Sequence, residues 1–171
     1  MFLFNGNFIN RFLRLLPLLI LLFLAFSETS ITFEKISFLS FNLIYIIIFY
    51  WILKNPEILG YGFIFLAGII NDVISGLPIG VSSVTYLILG GFAAYIRYLT
   101  VQPSLIYDWI VFAPSIAVTN SIYFYILRIF FDIDVNYIAL LLNTGITILL
   151  YPVIGILFNF LANLIVKEKN V

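Results

Sequence analysis

The chain has 171 residues, of which 64% are hydrophobic, while eight are basic and eight acidic. A soluble domain typically carries roughly 25% charged residues against 9% here, so a soluble globule is excluded and we expect an integral membrane protein. The lack of cysteine and histidine excludes disulfides, thiolate metal ligands and the commonest general base. A net charge of zero without a long basic run argues against a nucleic-acid partner.

Six apolar segments come near the length of about 20 residues that a membrane-spanning helix requires. Their continuous apolar runs predict an all-α bundle and exclude a barrel, whose strands alternate. Pro114 and Pro152 fall inside the last two segments and predict a kink or break in each. The short connectors leave no room for a soluble domain, so we expect one transmembrane domain over residues 1–171. The predicted spans are residues 12–26, 36–53, 58–75, 81–99, 105–131 and 137–166.

Basic residues predict the orientation, because they are enriched on the cytoplasmic side. With six spans and a cytoplasmic N-terminus, the outer ends carry only Lys35 and Arg128. Most basic residues then lie at the inner ends of the spans, which favours a topology with both termini in the cytoplasm. The segment ending at Ala25-Phe26-Ser27 also loosely resembles a cleaved secretory signal, but a polytopic protein favours an uncleaved anchor. The inner ends carry Arg11, Arg14, Lys54, Arg97, Lys167 and Lys169.

The third segment contains the polar residues with the clearest pattern. Gly68, Asn71, Asp72 and Ser75 follow i, i+3, i+4, i+7 spacing, which places them on one helical face. An intramembrane carboxylate is costly and is expected to have a partner. A proton, ion or partner site is one interpretation; a helix-packing face, favoured because Asp72 is not deep, is the other.

A tight turn follows this face directly. Gly76, Pro78 and Gly80 lie within five residues and predict an antiparallel hairpin of the third and fourth spans. Gly90 and Gly91 in the fourth span predict close helix packing.

Depth in the membrane suggests a partner for the carboxylate. Asp72 and Arg128 each lie four residues before the outer end of an outward-running span, about 6 Å inside it. We therefore expect a cross-helix ion pair as one arrangement. The alternatives are separate contacts with the outer interface, or a pairing of Arg128 with Asp132.

Other polar and aromatic residues predict packing. Amides such as Asn120, Asn159 and Asn163 are expected to join helices, or else to line a polar cavity. Tyrosines and tryptophans near the span ends, including Tyr45, Tyr50 and Trp51, predict an interfacial aromatic belt.

Catalytic motifs are absent from the sequence. It contains no Gly-x-Ser-x-Gly, no phosphate-binding Gly-Lys-Ser/Thr loop and no repeated helical carboxylates for metal ions. We therefore expect no enzyme activity, no cofactor and no metal site.

Residues 55–80 resemble the rod-shape-determining protein family MreD. That family typically shows a proline before a helix that ends in Gly-x-x-x-Asp-x-x-x-Gly, followed by a turn of small residues and proline. Gly68, Asp72, Gly76, Pro78 and Gly80 match this pattern. The length and the six short-looped spans also match, while the rest of the chain matches in topology only.

The resemblance implies a non-catalytic scaffold of the bacterial inner membrane. Such a protein would bind the bitopic protein MreC, and through it the MreB filaments, the polymerase RodA and a penicillin-binding transpeptidase. Its role would be to help position peptidoglycan synthesis during elongation and so to set rod shape.

The alternative to a scaffold is a membrane protein of a different functional class, a transporter subunit. The substrate-binding subunits of energy-coupling-factor vitamin transporters are also six-span proteins of this size. Those subunits often carry Ala-x-x-x-Ala in the first helix, where this chain has only Ala25.

Overall fold

The predicted all-helical architecture is confirmed by a computed structural model, which describes residues 6–27, 41–100 and 104–167. A short π-helix, Ile126–Phe130, continues α5. Neither Pro114 nor Pro152 ends its helix, because α5 and α6 run through them. The α-helices of the described residues are α1 (Gly6–Phe26), α2 (Leu43–Lys54), α3 (Tyr61–Ile74), α4 (Val81–Leu99), α5 (Leu105–Tyr125) and α6 (Tyr137–Lys167).

The helices differ in length more than the predicted spans do. Leu105–Phe130 and Tyr137–Ala162 are each 26 residues long and apolar enough to cross a membrane. The helices α2 and α3 have 12 and 14 residues, or roughly 18 and 21 Å at ~1.5 Å per residue, against a hydrocarbon core of ~30 Å. Residues 36–40 of the second predicted span lie outside the described residues. Six membrane crossings therefore stay a prediction.

The third predicted span begins too early, because a turn precedes its helix. The amide of Ile58 donates to the carbonyl of Asn55 at 3.1 Å, and Gly60 is the N-cap of α3. Pro56 lies inside this turn, where its fixed φ and missing N–H are tolerated.

The short helix α2 is the centre of the bundle. All ten residues from Ile44 to Leu53 are buried, and α2 contacts α1, α4, α5 and α6. A helix that is apolar all round is suited to burial on every side. The expectation of an aromatic belt is therefore wrong for Tyr45, Tyr50 and Trp51, which belong to the core.

The outer helix faces carry large apolar side chains. Ile106, Ile110, Ile129, Leu149 and Ile156 are all exposed. An apolar surface this extensive is costly in water and suits contact with lipid chains.

Candidate functional site

The hairpin of α3 and α4 begins with a contact between the two backbones. A Cβ on Gly68 would lie 2.3 Å from the Cα of Ser83 and 2.5 Å from its amide nitrogen. Only glycine therefore allows α3 to approach α4 this closely. The hydroxyl of Ser83 donates to the carbonyl of Phe65 at 2.9 Å and adds a polar tie across the same contact.

Asp72 joins the end of α3 to the start of α4. Its side chain is fully buried, and Oδ2 accepts from the amide of Gly80 at 2.7 Å. The amide of Ser82 donates to Oδ1 at 3.0 Å and to Oδ2 at 3.2 Å. A helix start leaves backbone N–H groups without intrahelical partners and favours negative charge. Asp72, which belongs to α3, supplies both the hydrogen-bond acceptors and the negative charge for the start of α4.

The turn between the helices requires glycine at two positions. Gly76 has φ +64° and Gly80 has φ +104°, in the region that residues with a Cβ rarely adopt. The amide of Leu77 donates to the carbonyl of Asp72 at 2.9 Å, which makes Gly76 the left-handed residue of a Schellman-type helix end. Pro78 accepts from the amide of Val81 at 3.3 Å and closes the turn.

Asn71 and Ser75, the other two residues of the predicted face, have different surroundings. Asn71 is buried, and its Nδ2 donates to the hydroxyl of Ser82 at 3.0 Å. Ser75 is the C-cap of α3 and is exposed. Gly68, Asn71 and Asp72 therefore face α4, whereas Ser75 does not belong to this contact.

The predicted ion pair of Asp72 with Arg128 is wrong for this structure. Arg128 lies in the π-helix and pairs with Asp134 in the following connector. Asp72 is directed to the start of α4, where the backbone amides satisfy both of its oxygens. The prediction compared only depth along the helices and did not include the free N–H groups at the start of α4.

A second buried carboxylate, which the sequence analysis missed, lies at the opposite end of the bundle. Oδ2 of Asp108 is 2.9 Å from Nζ of Lys54; Asp108 is 0% exposed and the lysine side chain 18%. Lys54 is therefore the charged partner of Oδ2, while Oδ1 has no hydrogen-bond partner among the described residues. Lys54 ends α2 and Asp108 lies in the first turn of α5, positions that the helix dipoles favour for these charges.

The sequence does contain a signal for Asp108. It is a single carboxylate in the first turn of an apolar span, just after Ser104, whose hydroxyl accepts from the amide of Tyr107 at 3.2 Å. Lys54 is assigned to the same membrane side by the basic-residue pattern. Combining these two observations predicts the pair.

A polar cavity of about 320 Å³ opens at the end of the bundle that holds the α3–α4 turn. It also contains Ser82, which connects it to the Asp72 contacts. None of its described lining residues carries a charge. The polar lining comprises five asparagines and three tyrosines: Asn42, Asn71, Asn120, Asn136, Asn143, Tyr45, Tyr86 and Tyr123.

Two of these amides, those of Asn71 and Asn120, also join helices, and that of Asn136 caps one. Nδ2 of Asn120 donates to the hydroxyl of Thr144 at 2.6 Å and so connects α5 to α6. Oδ1 of Asn136 accepts from the amides of Ile138 and Ala139 and caps the start of α6. The two functions expected for such amides, joining helices and lining a cavity, therefore occur together.

No group of three acidic side chains that would hold a metal ion occurs within residues 6–27, 41–100 and 104–167. Comparison with protein-family models, with curated proteins and with solved structures gives no match for this chain.

Proposed function

We propose that this chain is a non-catalytic, multi-pass scaffold of the bacterial inner membrane, of the MreD type. It binds MreC, and through MreC it connects MreB, RodA and a penicillin-binding transpeptidase. In this role it helps to position peptidoglycan synthesis during elongation and to determine rod shape.

The observation that carries the proposal is how Asp72 is used. The aspartate of the MreD-like motif makes its hydrogen bonds with the backbone of the same hairpin. Gly68 of the motif makes the backbone contact between α3 and α4, and Gly76 and Gly80 hold the two left-handed positions of the turn. A motif that fixes the shape of a hairpin fits a protein whose task is to present a defined surface to partners.

The proposed orientation is based on the charges at the two ends of the bundle. Lys54 and Arg97 line one pocket, and Asp108 lies beside Lys54. If this end faces the cytoplasm, as the basic residues favour, both termini are inside and the polar cavity opens outward. A reporter that is active only in the cytoplasm, fused after Asn170, should then be active; periplasmic activity would reject this topology.

Affinity purification of the full chain from its native membrane in a mild detergent tests the function. We expect MreC to co-purify at a fixed ratio. A matched pair of variants tests whether the hairpin is required: Gly68→Leu, which collides with Ser83, should lose MreC, whereas Gly62→Leu, where an added Cβ has no neighbour within 4 Å, should retain it. The amount of MreC is compared per mole of folded protein. A bound vitamin together with absence of MreC would reject the scaffold and favour the energy-coupling-factor transporter subunit.

A further inference from the structure

Asn42 has a side chain whose contacts are incomplete. It is the N-cap of α2, a position where asparagine normally accepts from the first helical amides, yet its side chain makes no such bond. Its backbone amide donates to the hydroxyl of Thr147 at 3.0 Å. Its Oδ1 is buried and has no hydrogen-bond partner among the described residues. A buried acceptor of this kind normally has a partner, so a water or a ligand is expected there.

The cavity that Asn42 lines is suited to an uncharged ligand. A charged group would lose its hydration without an opposite charge in the lining, because no described lining residue is ionised. The carboxylate of Asp72 beside the cavity already accepts from the backbone amides of Gly80 and Ser82. A purely apolar group would leave the buried oxygen of Asn42 without a partner. This oxygen offers an acceptor, and each tyrosine of the lining adds a hydroxyl and a ring face. Groups that donate and accept at once, such as sugar hydroxyls, match this lining.

The volume is suited to one ring inside the cavity. At about 320 Å³, the cavity lies at the lower end of the roughly 300–1,000 Å³ typical of small-molecule sites. It would hold about ten waters at ~30 Å³ each. A single sugar ring fits within this space, and the remainder of a larger molecule would extend through the open side of the cavity.

We propose that the Asn- and Tyr-lined cavity at the α3–α4 turn end of the bundle binds one uncharged sugar ring. The oxygen of Asn42 accepts from a sugar hydroxyl, and the hydroxyl of Tyr123 makes a second contact. The sugar is either free in solution or the headgroup of a membrane lipid, since both present the same chemistry. The site does not depend on which proteins the chain binds.

Thermal unfolding of the full chain in phosphatidylcholine nanodiscs tests this binding. The probes are diacylglycerol lipids carrying glucose, galactose or N-acetylglucosamine, the same diacylglycerol without a sugar, and the three free sugars. We expect at least one sugar to raise the melting temperature by about 3 °C or more over its matched control. A shift with the free sugar indicates a soluble ligand; a shift with the glycolipid alone indicates a headgroup.

Variants identify the cavity as the site. Asn42→Leu removes the unpartnered oxygen, so without sugar the protein should melt no lower than wild type, while the sugar-induced shift disappears. Tyr123→Phe retains the ring and should raise the half-maximal sugar concentration at least fivefold. Asn159→Leu on α6 changes an amide that is not part of the cavity lining and should retain the full shift.

Two results would overturn the proposal. One is that none of the three sugars, free or as a glycolipid, raises the melting temperature; the cavity would then hold only water. The other is a shift that survives unchanged in both Asn42→Leu and Tyr123→Phe, which places the sugar elsewhere.

Discussion

Asp72 and Asp108 are both fully buried, at opposite ends of the bundle, and the protein accommodates their charges in different ways. Asp72 accepts from backbone amides at the start of a neighbouring helix. Asp108 faces the flexible side chain of Lys54. One carboxylate is held by fixed dipoles and the other by a movable counter-ion.

The difference predicts how each site responds to substitution. Backbone amides cannot be removed by a side-chain change, and they cannot move without moving the helix. Lysine has a long stem and can carry its ammonium group towards water when its partner is lost. Asp72→Asn should therefore destabilise the protein more than Asp108→Asn does. Only the loss of the Asp108 charge should be partly compensated by a second side-chain change, at Lys54.

The largest expected effect comes from breaking the helix contact that holds Asp72 against α4. Gly68→Ala places a methyl group against the Ser83 backbone and should lower the free energy of unfolding by about 3 kcal/mol. Titration with dodecyl sulfate, followed by tryptophan fluorescence, measures it. Gly62→Ala in the same helix has no neighbour within 4 Å and should raise stability by about 0.5 kcal/mol. Equal effects of the two changes would contradict the close contact.

The second-largest loss of stability is expected from a change of Asp72 itself. Asp72→Asn replaces one acceptor oxygen by an NH₂ group that faces a backbone N–H, so we expect a loss of about 2 kcal/mol. The same titration measures it, with Asp134→Asn, an exposed carboxylate, as the control that should be nearly neutral. An Asp72→Asn protein as stable as wild type would show that the amide bonds to Asp72 contribute little.

A double-mutant cycle measures the pair at the other end. Asp108→Asn should cost about 1 kcal/mol, because Lys54 is already partly exposed, and Lys54→Met should cost more, because it leaves a buried carboxylate unpaired. The double variant should be more stable than the sum of the single changes predicts, with a coupling of about 1 kcal/mol. Additive losses would reject the ion pair as a stabilising contact.

The smallest effect is expected at Arg128. Its side chain is 50% exposed and that of its partner Asp134 is 91% exposed, so Arg128→Gln should change the free energy of unfolding by less than about 0.5 kcal/mol. Stability measurements at low and high salt check this value. If Arg128→Gln instead lowers the free energy of unfolding by more than about 1 kcal/mol, and this loss vanishes in an Asp72→Asn background, Arg128 pairs with Asp72.

The hairpin was the part of the site that the sequence predicted best. Gly76, Pro78 and Gly80 specify a turn through local chemistry alone, and Gly68 at helical spacing from Asp72 indicates a packing face. Such signals depend on residues close together in the chain, so a single sequence contains them. The partner of Asp72 is also local, but it is a pair of backbone amides, which the pattern of charged residues does not indicate.

Features that depend on distant helices were not predicted. The sequence does not mark α2 as the central helix, because a span facing lipid and a span facing protein are both apolar. The cavity joins asparagines from four helices, α2, α3, α5 and α6, among them Asn42, Asn71 and Asn120. Their convergence depends on how the helices pack, which spacing within one helix does not determine.

For the proposed MreC-binding scaffold, the amount of MreC captured per mole of folded protein, compared between wild type and Asp72→Asn, tests the structural role of the motif most directly. If Asp72 shapes the hairpin and makes no contact with a partner, the variant should yield less folded protein, while the ratio of MreC to folded protein stays at the wild-type value. A variant that folds to the wild-type level but captures no MreC would contradict this account and make Asp72 a contact residue.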